Sequence, residues 1–183
     1  EEWGETAPFA YFIDHSDPVL VEATRKGRLG EFAHLRQERR IPDPADESTF
    51  RRAKLDRTAR DSGRRAAMLG FYRELIRARK DLAARGCLDR TSFAVAGYEE
   101  EQALFVRYWS DRFDAAAILH FGQRPASIAL PVPEGRWSKR LDSAEARWDG
   151  PGSRLPDYFD SGGEVRLDVT GESASLYVRV KGA

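Results

Sequence analysis

Asp14 and Asp17, the run Glu99-Glu100-Glu101, the histidines His15, His34 and His120, Cys87 and Trp3 are the side chains through which this chain could do chemistry. Two carboxylates can share acid–base or nucleophilic work, but only when the fold brings them face to face. Nearness in sequence supplies no such opposition. Asp17 stands directly before Pro18, where its oxygen can accept the free amides of a helix start. Glu99-Glu100-Glu101 separates two apolar runs and reads as a solvated turn. His34 and His120 have no partner at metal-ligand spacing. No serine sits on a nucleophile-elbow pattern, and no glycine-rich loop joins a strand to a helix as nucleotide binding requires. The chain is therefore expected to hold no metal and no cofactor. Asp14-His15 keeps two readings: a hydrogen-bonded loop pair, or a polar edge open to a ligand. Trp3 could offer its ring face to a ligand or simply pack in a core. Trp109, Trp137 and Trp148 could form a sugar platform, although for aromatics in strands the core reading is favoured.

The elements that would carry these residues change character along the chain. Residues 1–16 are aromatic and turn-rich. A helix is expected from Asp17-Pro18, with Leu20, Ala23 and Gly27 on its buried side, Phe32 and Leu35 extending that face, and a break near Gly27 or Gly30. Pro42-Asp43-Pro44 stops it, and Glu47-Ser48-Thr49 can cap a short helix through Leu55. From about Ser62 to Arg85, Met68, Tyr72, Leu75, Ile76, Arg79 and Ala83 recur at three and four residues, giving one apolar stripe that needs a surface to cover. Gly86 suits a left-handed helix end. Beyond it the period falls to two. Strands are expected at Ser92–Tyr98, Ala103–Trp109, Ala115–Phe121, Ser127–Val132, Arg136–Leu141, Glu164–Val169 and Ser175–Val180, with Ala144–Ser161 a long loop. Seven short strands with no helix between them predict an antiparallel sandwich, and the boundary falls near Gly86.

Composition narrows the function. Hydrophobic residues at 41% and charged residues at 33% describe a globular chain with a well-hydrated surface. A formal net charge of zero gives no field to gather nucleic acid or an anionic membrane. The basic run from Arg51 to Arg65 lacks the interleaved aromatics of a polyanion site, and reads as an exposed helix face. One cysteine excludes an internal disulfide and fits a reducing, cytoplasmic setting; Cys87 itself reads as a small buried residue. No apolar run approaches the ~20 residues that span a bilayer. Glu1-Glu2-Trp3-Gly4 does not look like a natural start, so the chain reads as part of a longer one.

Pro8-Phe9, Phe12, Asp14-His15, Asp17-Pro18, Gly27-Arg28, Glu31-Phe32, Pro42-Asp43-Pro44, Thr49-Phe50 and Lys54-Leu55 together resemble the segment after the eighth barrel strand of the maltooligosyltrehalose trehalohydrolases, a branch of the alpha-amylase superfamily. Glu1-Glu2-Trp3-Gly4 is similar to the end of that strand, while Arg57 stands where these enzymes tend to carry Trp. The resemblance implies an α+β chain: the helical end of a (β/α)8 barrel over residues 1–86, then a C-terminal antiparallel β-sandwich over 87–183. It implies a parent that releases trehalose from maltooligosyltrehalose by retaining hydrolysis, with its carboxylates upstream of Glu1 and this piece alone inactive. It implies a maltooligosaccharide-type substrate contacted at Trp3, Asp14 and His15, and a missing barrel packed on residues 64–85. Two alternatives stay open: another superfamily member, such as a branching or debranching enzyme, and a non-catalytic sandwich that binds glycan or protein.

Overall fold

The computed structural model describes residues 2–32 and 41–181. His34 and the extension of the first helix's apolar face through Phe32 and Leu35 lie outside the described side chains. Two compact units divide the chain, Trp3–Asp61 and the residues from Ser62 onward.

In the first unit, α1 (Pro18–Phe32) and α2 (Glu47–Arg52) are followed by a 3-10 turn at Arg57–Asp61. Asp17 caps α1 by accepting the Val19 amide at 2.8 Å, as its place before proline predicts. The cap of α2 is Asp46, one residue ahead of the expected Glu47, and its carboxylate accepts from Ser48 at 2.7 Å. Two expectations for α1 need correction. The helix runs unbroken through Gly27 and Gly30, each of which has open space where a side chain would be. Its inward side carries Val21, Thr24, Arg25 and Arg28, while Leu20, Ala23 and Gly27 are exposed. Polar contacts decide that rotation. Arg25 pairs with Asp43 at 2.8 Å, and the Arg28 guanidinium lies 4.7 Å from the centre of the Tyr11 ring.

In the second unit, α3 (Gly63–Ala84) leads into eight strands: β1 (Phe93–Tyr98), β2 (Ala103–Trp109), β3 (Phe113–His120), β4 (Ala126–Leu130), β5 (Gly135–Asp142), β6 (Tyr158–Ser161), β7 (Val165–Val169) and β8 (Ser173–Val180). Six form one antiparallel sheet in the order β1-β2-β3-β8-β5-β6, and β4 pairs with β7 separately. The strand β6 falls inside the segment expected to be a loop. Four residues with only Phe159 and Ser161 turned inward are too short for alternation to show; pairing with Gly135–Ser138 of β5 makes the strand.

Side-chain alternation gives the large sheet two different faces. On one, Phe105, Ile118, Trp137 and Tyr177 meet Ile128 and Leu130 of β4 and Leu167 and Val169 of β7 in a continuous core. On the other, Ala115 packs with Leu82 of α3 and with Cys87, which is fully buried as expected. The unit is thus a sandwich with α3 laid on its outer side. The helix end is fixed by Gly86 at φ 71°, in the left-handed region glycine favours.

The face α3 uses is not the stripe read from the sequence. Ala78 and Leu82 are buried, and Gly70 sits so close to Trp148 that a methyl group there would lie 3.1 Å from the indole. Phe71 meets the same ring edge-on, with centroids 5.6 Å apart. Leu75 and Ile76, on the expected stripe, stay 39% and 51% exposed. At 100° per residue Leu75 falls at the edge of the packed face, beside Phe71, Ala78 and Leu82, and Ile76 about 100° further round, so the expected stripe is rotated partly off the sandwich. Because α3 packs on the sandwich through Leu82 and through Gly70 and Phe71 against Trp148, it groups with the strands, and the compact units divide between Asp61 and Ser62.

Candidate functional site

The aromatic amino-terminal segment is held by backbone capture. The Glu5 carboxylate accepts the amides of Thr6 at 2.7 Å, Ala7 at 3.1 Å and Asp56 at 2.8 Å, which draws residues 5–7 onto the end of the first unit. The amide of Ile13 donates to the Pro44 carbonyl at 2.8 Å, and Ile13 is buried. Phe12 and Phe50 stack with centroids 5.0 Å apart. Thr49, also buried, donates its hydroxyl to the Asp43 carbonyl at 2.7 Å. The segment after Ile13 is thereby anchored, and Asp14 and His15 emerge from it with exposed side chains. Trp3 is half-buried, and its indole N–H is a buried donor without a partner among the described residues. Such a donor costs free energy until something accepts from it.

The Arg25–Asp43 pair borders a 150 Å³ cavity, lined further by Arg28, Leu29, Ile41 and Pro44. Hydrogen bonds from the Arg25 side chain and the Ala45 amide hold the Asp43 carboxyl below its usual range. Asp46 is likewise lowered, by the Ser48 side chain first and the Ser48 amide second. Both shifts stabilise a charged carboxylate, the reverse of what a proton donor needs.

Two carboxylates are buried in the sandwich, and both are structural clamps. Asp114 accepts from Arg107 at 2.8 Å and from Arg179, with Lys181 at 3.8 Å, tying β2, β3 and the end of β8 together. Asp142 accepts from the Ala144 amide at 2.9 Å and from the Ser153 hydroxyl, which folds the 143–157 segment against β5. Their oxygens are engaged within the fold. Burial and nearby acids also push the Tyr177 phenol far above its ordinary value, so it acts here only as the donor to the Pro156 carbonyl at 2.6 Å.

The sandwich tryptophans form no platform. Trp137 is fully buried and stacks on Phe159 with centroids 6.3 Å apart, Trp148 is wedged beside Gly70 and Phe71, and half-buried Trp109 has the Arg107 guanidinium 4.8 Å from its ring centre. Sequence reasoning missed a different surface. Phe93 and Val95 pair with Tyr108 and Val106, which places them on the same side of the sheet as α3, yet they are 46% and 55% exposed. The signal was available in β1, whose sequence Phe-Ala-Val-Ala-Gly-Tyr is apolar throughout where a half-solvated strand would alternate.

No protein-family model matches this chain. A solved Salmonella typhimurium chain assigned as an alpha amylase superposes on all of it, with a TM-score of 0.67 and 26% identity; the match takes up 27% of that protein. In fold the chain is thus similar to about a quarter of an alpha-amylase-type glycoside hydrolase. Within that class, its sequence relatives are malto-oligosyltrehalose trehalohydrolases. The one from Rhizobium sp. (strain M-11) is 37% identical over 133 residues, 72% of this chain and 22% of the relative. Those of Deinococcus radiodurans and Mycobacterium tuberculosis are 36% identical over 160 residues and 41% over 105. The chain spans about a quarter of the length of the relatives it matches.

Proposed function

We propose that this chain is the C-terminal part of a cytoplasmic enzyme that cleaves the α-1,4 bond next to the terminal trehalose of maltooligosyltrehalose. In this reading the nucleophile and the acid lie on barrel strands that these residues do not include, and the chain alone is inactive. Residues 1–86 complete the barrel, with 64–85 as its last helix, and 87–183 form the C-terminal sandwich. Trp3, Asp14 and His15 stand at the edge of the sugar cleft. There Trp3 offers its unsatisfied N–H and its ring, and the two exposed polar side chains offer hydrogen bonds to sugar hydroxyls.

The observation that carries the reading, beside the sequence relatives, is the apolar surface left on the helix side of the second unit. Leu75 and Ile76 on α3, and Phe93 and Val95 on β1, are all exposed, whereas each neighbouring inward face is packed. Large apolar side chains concentrated on one side of an otherwise packed unit mark an interface. A barrel upstream in the same polypeptide is the occupant that the length of the relatives supplies.

The test is direct. This chain and the longer polypeptide encoded with it are each incubated with maltooligosyltrehalose, and trehalose release is followed. Turnover by the longer protein alone supports the assignment. Turnover by this chain at an enzyme-like rate refutes it. A longer protein that instead transfers or debranches glucan assigns the same architecture to another superfamily activity.

A further inference from the structure

The sandwich offers no tryptophan platform, but it does carry one exposed aromatic beside a polar concavity. Phe121, directly after β3, is 60% exposed. It borders a hollow of about 530 Å³ lined also by Gln102, His120, Gln123, Arg124 and Glu172. A second hollow of about 360 Å³ shares His120, Phe121 and Glu172 and continues to Ser143 and Ala174. An exposed ring thus stands in two adjoining hollows with amide, guanidinium and carboxylate groups around it.

The rim is built, not merely indented. The Phe121 amide donates to the Gln102 carbonyl and the Glu172 amide to the Gly122 carbonyl, both at 2.8 Å, so three chain segments share one frame. Gly171 passes so near Gln123 that a methyl group would fall 2.1 Å from its carbonyl oxygen. Gln102 and Glu172 adopt φ of 51° and 46°, left-handed conformations in which glycine is the unstrained choice. The chain keeps long hydrogen-bonding side chains at both positions despite that cost, and both line the hollow. His120 is buried, and its Nδ1 lies 2.8 Å from the Thr170 carbonyl. That carbonyl requires an N–H, so in the neutral ring Nε2 is an acceptor. Glycine at 122 keeps the chain from covering Nε2: a methyl group there would sit 2.8 Å from it and 3.3 Å from the Gln102 side-chain oxygen.

The lining selects the ligand. Glu100, Glu101 and Glu172 against a single Arg124 disfavour an anion. Among the described residues no cluster of three or more His, Cys, Asp or Glu could hold a metal ion. A neutral polyhydroxylated ring satisfies what remains, with its apolar CH face on Phe121 and its hydroxyls on Gln102, Gln123, Glu172 and His120 Nε2. We propose that this end of the sandwich is a non-catalytic binding site for a neutral oligosaccharide, an α-1,4-glucan segment. The α-glucan choice rests on the trehalohydrolase reading above; that the site takes a neutral sugar rests on the hollow itself.

Maltoheptaose titrated into this chain, followed by amide chemical shifts, tests the proposal, with cellohexaose as the β-linked comparison. The expected result is saturable binding of maltoheptaose with shifts centred on residues 100–102, 120–126 and 172. Affinity for cellohexaose should be about tenfold lower or worse. Phe121→Ala, at an exposed position, should weaken maltoheptaose by about tenfold. Gln102→Gly should relieve backbone strain and leave the melting temperature unchanged or higher, yet weaken binding by about threefold, a combination that damage to the fold cannot produce. Absence of saturation, or unchanged affinity in both variants, overturns the site. Equal affinity for the two sugars overturns the α-glucan assignment. Trehalose release by the longer enzyme tests the other reading separately, because it requires no binding here.

Discussion

Alanine at both Leu75 and Ile76 should cost little in this chain and much in the longer protein. Fully burying a leucine or isoleucine side chain contributes about 1.5–3 kcal/mol. Leu75 is already 61% and Ile76 49% buried, taking the complements of their 39% and 51% exposures, so the packing lost here is about 1 kcal/mol each. Alanine's higher helix propensity returns a few tenths of that at each position. The net loss in this chain should be about 1–2 kcal/mol. Under a docked barrel the same side chains would be fully enclosed, and truncation there adds a cavity, at about 2–5 kcal/mol per residue. The two positions are adjacent and will not add fully, so about 4 kcal/mol is a fair lower expectation for the pair. Urea melts of this chain and of the longer protein, each with and without the double substitution, measure the contrast. A difference of about 2 kcal/mol or more between the two contexts supports a covered face. Equal losses, within about 0.5 kcal/mol, would refute the reasoning, because they would mean that nothing lies over α3 in the longer protein either.

Asp114→Ala leaves Arg107 and Arg179 without their carboxylate in the sheet. A broken buried pair costs about 3–5 kcal/mol, and the partial exposure of both arginines reduces that to about 2–4 kcal/mol in a urea melt; a loss below 1 kcal/mol would show that the clamp is unimportant. The first unit should lose stability in acid. Asp43 and Asp46 are held below their unfolded values by Arg25 and by Ser48, so their contribution is complete above about pH 4 and disappears as the pH falls through the lowered folded-state values. Asp46→Ala should flatten that acid limb in a pH series of melts, and an unchanged limb would remove the cap from the account.

Sequence periodicity carried the sandwich because alternation is local: a residue facing the core in β2 or β8 has its neighbours facing away, whatever the sheet order. The resemblance to trehalohydrolases was equally legible, since the run from Pro8 to Leu55 depends on residue identity and not on contacts. Local rules failed where two surfaces compete for one element. The three- and four-residue spacing in α3 found an apolar stripe at Leu75 and Ile76, but could not say that Ala78 and Leu82 would be buried and Gly70 would lie against Trp148. Small residues permit close approach without raising the hydrophobic signal. In α1, an ion pair with Asp43 and a ring contact with Tyr11 set the rotation, and both partners are far away in sequence. The hollow beside Phe121 had no signal at all, because its walls come from three turns that only the sheet order brings together. Composition and pattern determined which segments become helix and strand, apart from β6, which pairing with β5 makes. Which faces are left bare, and hence where a partner or a sugar can land, was decided by tertiary packing, because burial is a property of pairs of surfaces and no single segment encodes its mate.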